Sequence, residues 1–321
     1  MKVLLFIVLA LAAAYSGYWF IGARGVDRAV QNSLETLEAQ GWNVTTGNIE
    51  TRGFPSRFDI TATDLTITSP DGTLAYTAPW VQTVALSYRP NKVIAILPPE
   101  QTLTIQGQEL KMATDGLRAS ASVAANTALT FADLTAETKS LDVTSDLGWQ
   151  LKTGAGLLAL RPAGPAANTY EAYLGLADVV PQLGLASAPA TPAQFAADAT
   201  VRLDRPLDRS LVQAGRPKIE MVTLNSLDLT WGSLKLTGQG QVTVDAEGVP
   251  EGRITINADG WQDVIGLLAE AAIIDPDVLP TLTNMATMMS GGGGALVLPI
   301  TFKSGFMSLG PLPLGPAPRL R

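Results

Sequence analysis

Residues 236–261 read LTGQGQVTVDAEGVPEGRITINADGW. Leu236, Val242 and Val244 alternate with polar neighbours, and Arg253–Ala258 resumes that alternation through Ile254 and Ile256. Between them, Asp245–Gly252 carries the Asp, Gly and Pro that mark a turn. A period of two on both sides of a turn predicts two antiparallel strands. At Trp261 the period changes, and Val264, Ile265, Leu267 and Leu268 take helical spacing.

Working outward, the strand grammar covers most of the chain. Lys218–Trp231 is a long strand pattern with Leu227, Leu229 and Trp231 on one face. Further upstream lie Trp80–Tyr88, Lys92–Leu97, Thr102–Ile105, Gly107–Met112, Leu117–Val123, Leu129–Leu134 and Ser140–Val143. Arg89-Pro90-Asn91, Pro98-Pro99, Gln106-Gly107 and Asp115-Gly116 read as the turns between them. Phe58, Ile60 and Ala62 share one phase and Leu65 and Ile67 the other, so a bulge or bend is expected near Thr63-Asp64. Residues 144–200 are less regular, and a soft boundary is expected at 187–193, where Pro189 and Pro192 stand. Downstream, a second helix is predicted from Pro276 to about Met289, then a break at Gly291–Gly294. Strands at Ala295–Thr301 and Phe306–Leu309 and an extended edge over Pro311–Pro318 close the chain.

At the other end, Val3–Ala23 reads VLLFIVLALAAAYSGYWFIGA, uncharged and bracketed by Lys2 and Arg24. At about 1.5 Å per residue it is long enough to cross a hydrocarbon core of about 30 Å. Val3, Leu4, Leu5, Phe6, Ile7, Val8 and Leu9 begin the anchor, and Tyr18, Trp19, Phe20 and Ile21 continue it, with Tyr18 and Trp19 at an aromatic belt. A cleaved signal peptide, cut near Ala12–Ser16, is the alternative; apolar residues continuing past that point favour an uncleaved anchor. No second run is long enough to span, so one crossing is expected. The short tail before it places residues 24–321 on the far side, the periplasmic side of a bacterial inner membrane. Gly25–Gln40 then reads as a stalk helix, with Val26, Val30, Leu34 and Leu37 on one face and Gly41 to stop it.

Composition excludes several chemistries. The 321 residues contain neither Cys nor His, so disulfides, zinc sites of the usual kind and Ser-His-Asp or Cys-His catalysis are ruled out. The net charge of −7 is spread without a basic cluster, which argues against nucleic acid. Only 16% of residues are charged, so apolar surface is expected to face a groove, a membrane or a partner.

Three separated blocks, the Gly-Phe-Pro-x-x-Phe opening at 53–58, the 236–261 block and GFMSLGPLPLGPAPRL at 305–320, resemble domain-of-unknown-function family 2125 over nearly the whole chain. That family consists of bacterial membrane-anchored proteins, and the resemblance implies no activity. The anchor followed by repeating strands also resembles, more loosely, AsmA-like envelope proteins, which implies a grooved sheet that guides lipid.

Candidate chemistry is sparse. Asp245, Glu247 and Glu251 fit no EF-hand spacing and read as a solvated turn. Gly291–Gly294 lacks the Lys and Ser/Thr of a phosphate loop. Met285, Met288 and Met289 read as core, with an adaptable binding face as the alternative. Arg52 and Arg57 flank Gly53-Phe54-Pro55 and are candidates for lipid head-group contact, weighed against ordinary solvated arginines.

The expected fold class is mainly β (α+β). An anchor over 1–23 and a stalk helix over 24–41 lead to a β-rich region over 42–321. That region is a long curved antiparallel sheet or groove with a few C-terminal helices packed on it. The expected function is a non-catalytic, membrane-anchored envelope module that binds lipid or another apolar ligand, with no cofactor and no metal. A protein that pairs its sheet edges with a protein partner is the alternative, and a carboxylate hydrolase the more distant one.

Overall fold

The computed structural model describes residues 1–164, 166–182, 188, 189, 191–211, 217–270, 277, 279–291, 294–310 and 312–320. The fold is mainly β, and its paired strands run antiparallel. Backbone contacts divide it into two units: Met1–Ser122 with Glu137–Gly148, and Val123–Ala136 with Trp149–Arg321. The soft boundary expected at 187–193 falls partly outside the described residues.

The first unit begins with one uninterrupted helix, α1 (Lys2–Ala39). Anchor and stalk are therefore a single rod. Its carbonyls end at Gln40 and Gly41, where φ is +85°, the left-handed turn that glycine makes without a Cβ penalty. The stalk helix is present as the continuation of the anchor, and the rod also touches the sheet. Trp19 and Ala23 are buried against Phe58 of the sheet, with Val26 beside them. At the far end a Cβ on Gly41 would meet Pro70. The helix thus lies along the sheet, because its apolar stripe continues past residue 24 and needs a partner.

That sheet is built on the hairpin β3 (Arg57–Thr68) and β4 (Leu74–Leu86). Two short strands, β1 (Asn43–Thr45) and β2 (Ile49–Arg52), share one edge of β3. The other edge of β4 forks. Its first half pairs with β6 (Glu100–Ile105) and its second with β5 (Arg89–Ile96). Pro79 stands between these two pairings, where a strand can omit an N–H. The predicted bend is present opposite it, at Asp64 with φ +51°. From the fork, β6 continues through β7 (Gln108–Asp115) to β10 (Ser140–Ser145), and β5 continues to β8 (Arg118–Val123). The strand β9 (Phe131–Thr138) carries the chain from one unit to the other.

The second unit is a meander. Strands β11 (Gln150–Thr153) and β12 (Gly156–Pro162) both pair with β13 (Thr169–Gln182). Then β14 (Ala193–Leu203), β15 (Ile219–Trp231), β16 (Leu234–Val244), β17 (Pro250–Asp259), β18 (Leu296–Lys303), β19 (Phe306–Leu309) and β20 (Leu312–Pro316) follow, each beside its predecessor. The proline-rich tail is an edge strand, as its composition predicts. Among the described residues two helices interrupt the series, α2 (Trp261–Glu270) and α3 (Leu279–Met289). Pro276, the expected start of the second, lies outside the described residues.

Candidate functional site: an apolar helix, its docking loop and an apolar sheet face

Two features separate this molecule from an ordinary packed β domain. The first is the junction of α1 with the sheet. Phe58 opens β3 and the chain reaches it through Gly53-Phe54-Pro55, so Phe54 and Phe58 bracket one end of the strand. Trp19 stacks on Phe58 at 5.8 Å and meets Phe54 edge-on at 5.4 Å, while Phe20 stacks on Phe54 at 5.7 Å. A Cβ on Gly22 would come within 2.8 Å of the Phe58 ring, so the glycine sets how closely the helix approaches. The Trp19 Nε1–H donates to the Arg57 carbonyl at 2.8 Å. Tyr18 donates its hydroxyl to the Ser87 carbonyl at 2.7 Å, and the Tyr15 hydroxyl shares a 3.0 Å hydrogen bond with Ser87 Oγ. Ser87 is fully buried.

The remaining anchor residues, Val3, Leu4, Leu5, Phe6, Ile7, Val8 and Leu9, stay exposed, as do Tyr18, Phe20 and Ile21. The helix is long and apolar enough to span a membrane. Of the predicted set Trp19 is buried in the protein contact, while Tyr18 and Phe20 touch the sheet and its loop but remain exposed.

Arg52 and Arg57 lie close to this junction, each beside a carboxylate. Arg52 Nε meets Glu50 Oε1 at 2.7 Å, and that hydrogen bond and charge raise its pKa. Arg57 Nη2 is 3.1 Å from Asp59 Oδ2. Both guanidinium groups remain more than half exposed. The Ser87-Tyr88 turn is not expected from the sequence, because the stronger turn composition of Arg89-Pro90-Asn91 lies just after it.

The second feature is one face of the meander. Residues directly opposite on neighbouring strands share a face. One row crosses seven strands as Leu158, Leu174, Ala197, Leu227, Gly238, Ile256 and Leu298. The next row on the same face is Leu160, Ala172, Ala199, Leu224, Gly240, Ile254, Ile300 and Leu309. Every member is apolar. The opposite face runs through Arg161, Glu171, Thr200, Thr223, Gln241 and Arg253. Yet none of the second apolar row is buried, and in the first row Leu158 and Leu174 are 43% and 37% exposed. Burial is concentrated in the flanking rows, at Ala258 and Leu296 on one side and Tyr170 and Val242 on the other. At the first of these, Trp261 of α2 and Ala286 of α3 close a small core with Leu236, Ile265 and Leu298. Met288 and Met289 point away from it, with Met288 81% exposed, so those two are not the core residues expected.

Elsewhere the chemistry is bland. Asp245 Oδ1 accepts the N–H groups of Glu247 and Val249, the ordinary arrangement of a solvated turn. A cavity of about 460 Å³ beside it is lined by Lys218, Ala246 and Leu320 among others. Among the described residues, no group of three or more His, Cys, Asp or Glu is placed to hold a metal ion.

These features define a class: a β-rich protein carried on an apolar N-terminal helix that is docked into its own sheet. The chain belongs to the bacterial family described as "Uncharacterized protein conserved in bacteria (DUF2125)", whose pattern matches residues 19–318. Searches of curated proteins and of solved structures find no match.

Proposed function

We propose that this protein is a non-catalytic, membrane-anchored envelope module whose second unit holds an apolar ligand, the acyl chain of a lipid, on its apolar face. The observation that carries this is the pair of central rows. An apolar face that is filled by its own fold buries its middle first and leaves its margins open. Here the side chains of the middle rows stay at least partly open, and the buried side chains, Ala258, Leu296, Tyr170 and Val242, stand in the flanking rows. Exposed Leu158 and Leu174 and the partly open Leu and Ile side chains beside them favour an apolar partner by about 25 cal/mol per Å² removed from water. The anchor supplies the setting, since a chain tethered to a bilayer meets lipid at high local concentration. In this reading α1 crosses the bacterial inner membrane once, with the β units on the periplasmic side, and no cofactor is required.

The test is lipid analysis of the full chain purified in detergent, with an acyl-chain photoprobe to locate the ligand. Lipid should co-purify in stoichiometric amount and the probe should label strands β13 to β17. Ala199→Trp, which fills the middle of the face, should reduce both. Absence of lipid together with labelling confined to α1 would overturn the reading.

A further inference from the structure

The length of α1 and the place where the sheet meets it set a geometric constraint. Val3–Ala14 amounts to about 18 Å of helix, which is short of a hydrocarbon core of about 30 Å. A span of that thickness takes about 20 residues from Val3 and extends to about Gly22, and Arg24 is the first charge after it. But Tyr15, Tyr18, Trp19 and Ala23 are already in contact with the sheet over this stretch. The end of the first unit, with the Gly53–Arg57 loop and the Ser87-Tyr88 turn, therefore lies at the depth of the upper part of the span.

The chemistry of that end agrees independently. The polar side chains within Val3–Ala23 are Tyr15, Ser16, Tyr18 and Trp19. All four have their polar group hydrogen-bonded inside the protein, Ser16 to the Ala12 carbonyl at 2.7 Å and the others to Ser87 and Arg57. Water-facing tyrosines need no such partners; groups beside lipid do. Around them the surface is aromatic and basic. Phe54 is 51% exposed, Phe20 55% and Tyr88 65%. Arg89 and Lys92 stand exposed just after Tyr88, and no acidic residue occurs between Asp71 and Glu100. Aromatic rings with adjacent cations are the composition of a membrane–water interface, and the cations favour anionic head-groups.

We propose that the Gly53–Arg57 loop and the Ser87–Lys92 segment are seated in the interface of an anionic bilayer, so that the first unit rests on the membrane instead of standing off it on a stalk. This rests on the reading that α1 enters the bilayer, and the experiment separates the two. The chain has no cysteine, so single-cysteine variants carry one probe each. Val8→Cys, Phe54→Cys, Tyr88→Cys and Asp71→Cys are labelled with an environment-sensitive fluorophore in the full chain. Each is reconstituted into vesicles of phosphatidylcholine and phosphatidylglycerol carrying nitroxide lipids. Asp71 serves as the aqueous reference because it lies at the opposite end of the β3–β4 hairpin. The expected result is deep quenching at position 8, blue-shifted emission with head-group-level quenching at 54 and 88, and neither at 71. Tyr88 carries the test if a label at Phe54 disturbs the aromatic stack. Quenching at 8 with positions 54 and 88 indistinguishable from 71 overturns the seating alone. An aqueous position 8 overturns the anchor and the seating together.

Discussion

The two units treat an apolar sheet face in opposite ways. In the first, the chain's own helix covers Phe58 and the residues beside it, and the polar atoms of the covering stretch find partners at Arg57 of β3 and in the Ser87-Tyr88 turn. In the second, seven strands build a continuous apolar face, and among the described residues the helices α2 and α3 pack at one edge of it, on Ala258 and Leu296 and against Leu298. The difference teaches where to look for function. A face finished by its own chain contributes to stability. A face that the fold builds and leaves half-open is available to something else.

The strongest way to break the comparison is to remove the cover from the first unit. Trp19→Ala deletes a buried indole and its hydrogen bond and should cost about 3–5 kcal/mol. Hydrogen exchange by mass spectrometry should show β3 and β4 losing protection while β15–β17 keep theirs. Equal loss in both units would mean the covered face is not what holds the first one.

In the second unit the corresponding perturbation is backbone approach. A Cβ on Gly240 would lie 2.3 Å from the Arg253 carbonyl oxygen and 2.6 Å from Ile254 Cα, atoms that move only with the strand. Gly240→Val should therefore destabilise β16–β17 by about 1–3 kcal/mol or more, read as a lower denaturant midpoint. By contrast Ala199→Trp, also on the apolar face, should cost little stability, because its surroundings are open. A loss as large as that of Gly240→Val would show the face to be packed.

A smaller effect tests the helix–sheet contact beyond the aromatic cluster. Thr51 Oγ1 donates to Asp27 Oδ1 at 2.6 Å, and Thr51→Val should cost about 1–2 kcal/mol as a hydrogen bond to a charged acceptor. The smallest is electrostatic. Asp71 is held to a pKa of about 2 by hydrogen bonds from the Ser69 hydroxyl and from the Thr73 N–H and hydroxyl. A depressed carboxyl pKa contributes stability that is present above its unfolded value near 4 and is lost as pH falls through about 2. Being fully exposed, it contributes modestly. NMR titration should place the Asp71 midpoint near 2, and Ser69→Ala should raise it.

Much of this was legible from local signals. Gly41 ends the helix, Gln106-Gly107 turns with both φ values positive, and the phase change at Thr63-Asp64 is a bend at Asp64. Other elements were not, for identifiable reasons. Strand β4 starts at Leu74, well before the predicted Trp80, since Pro79 reads as a break unless the fork beside it is known. Arg89-Pro90-Asn91 has turn composition, yet the turn is Ser87-Tyr88 and Arg89 already pairs with Leu86.

By itself the sequence determined the strand grammar, the apolar helix and the absence of Cys and His, because periodicity and residue chemistry are local properties. The tertiary structure decided that the helix docks through Trp19 onto Phe58 and that Leu158 through Leu298 form one row. The docking depends on packing between a helix and a sheet, and the row depends on register across seven strands; no local pattern encodes either.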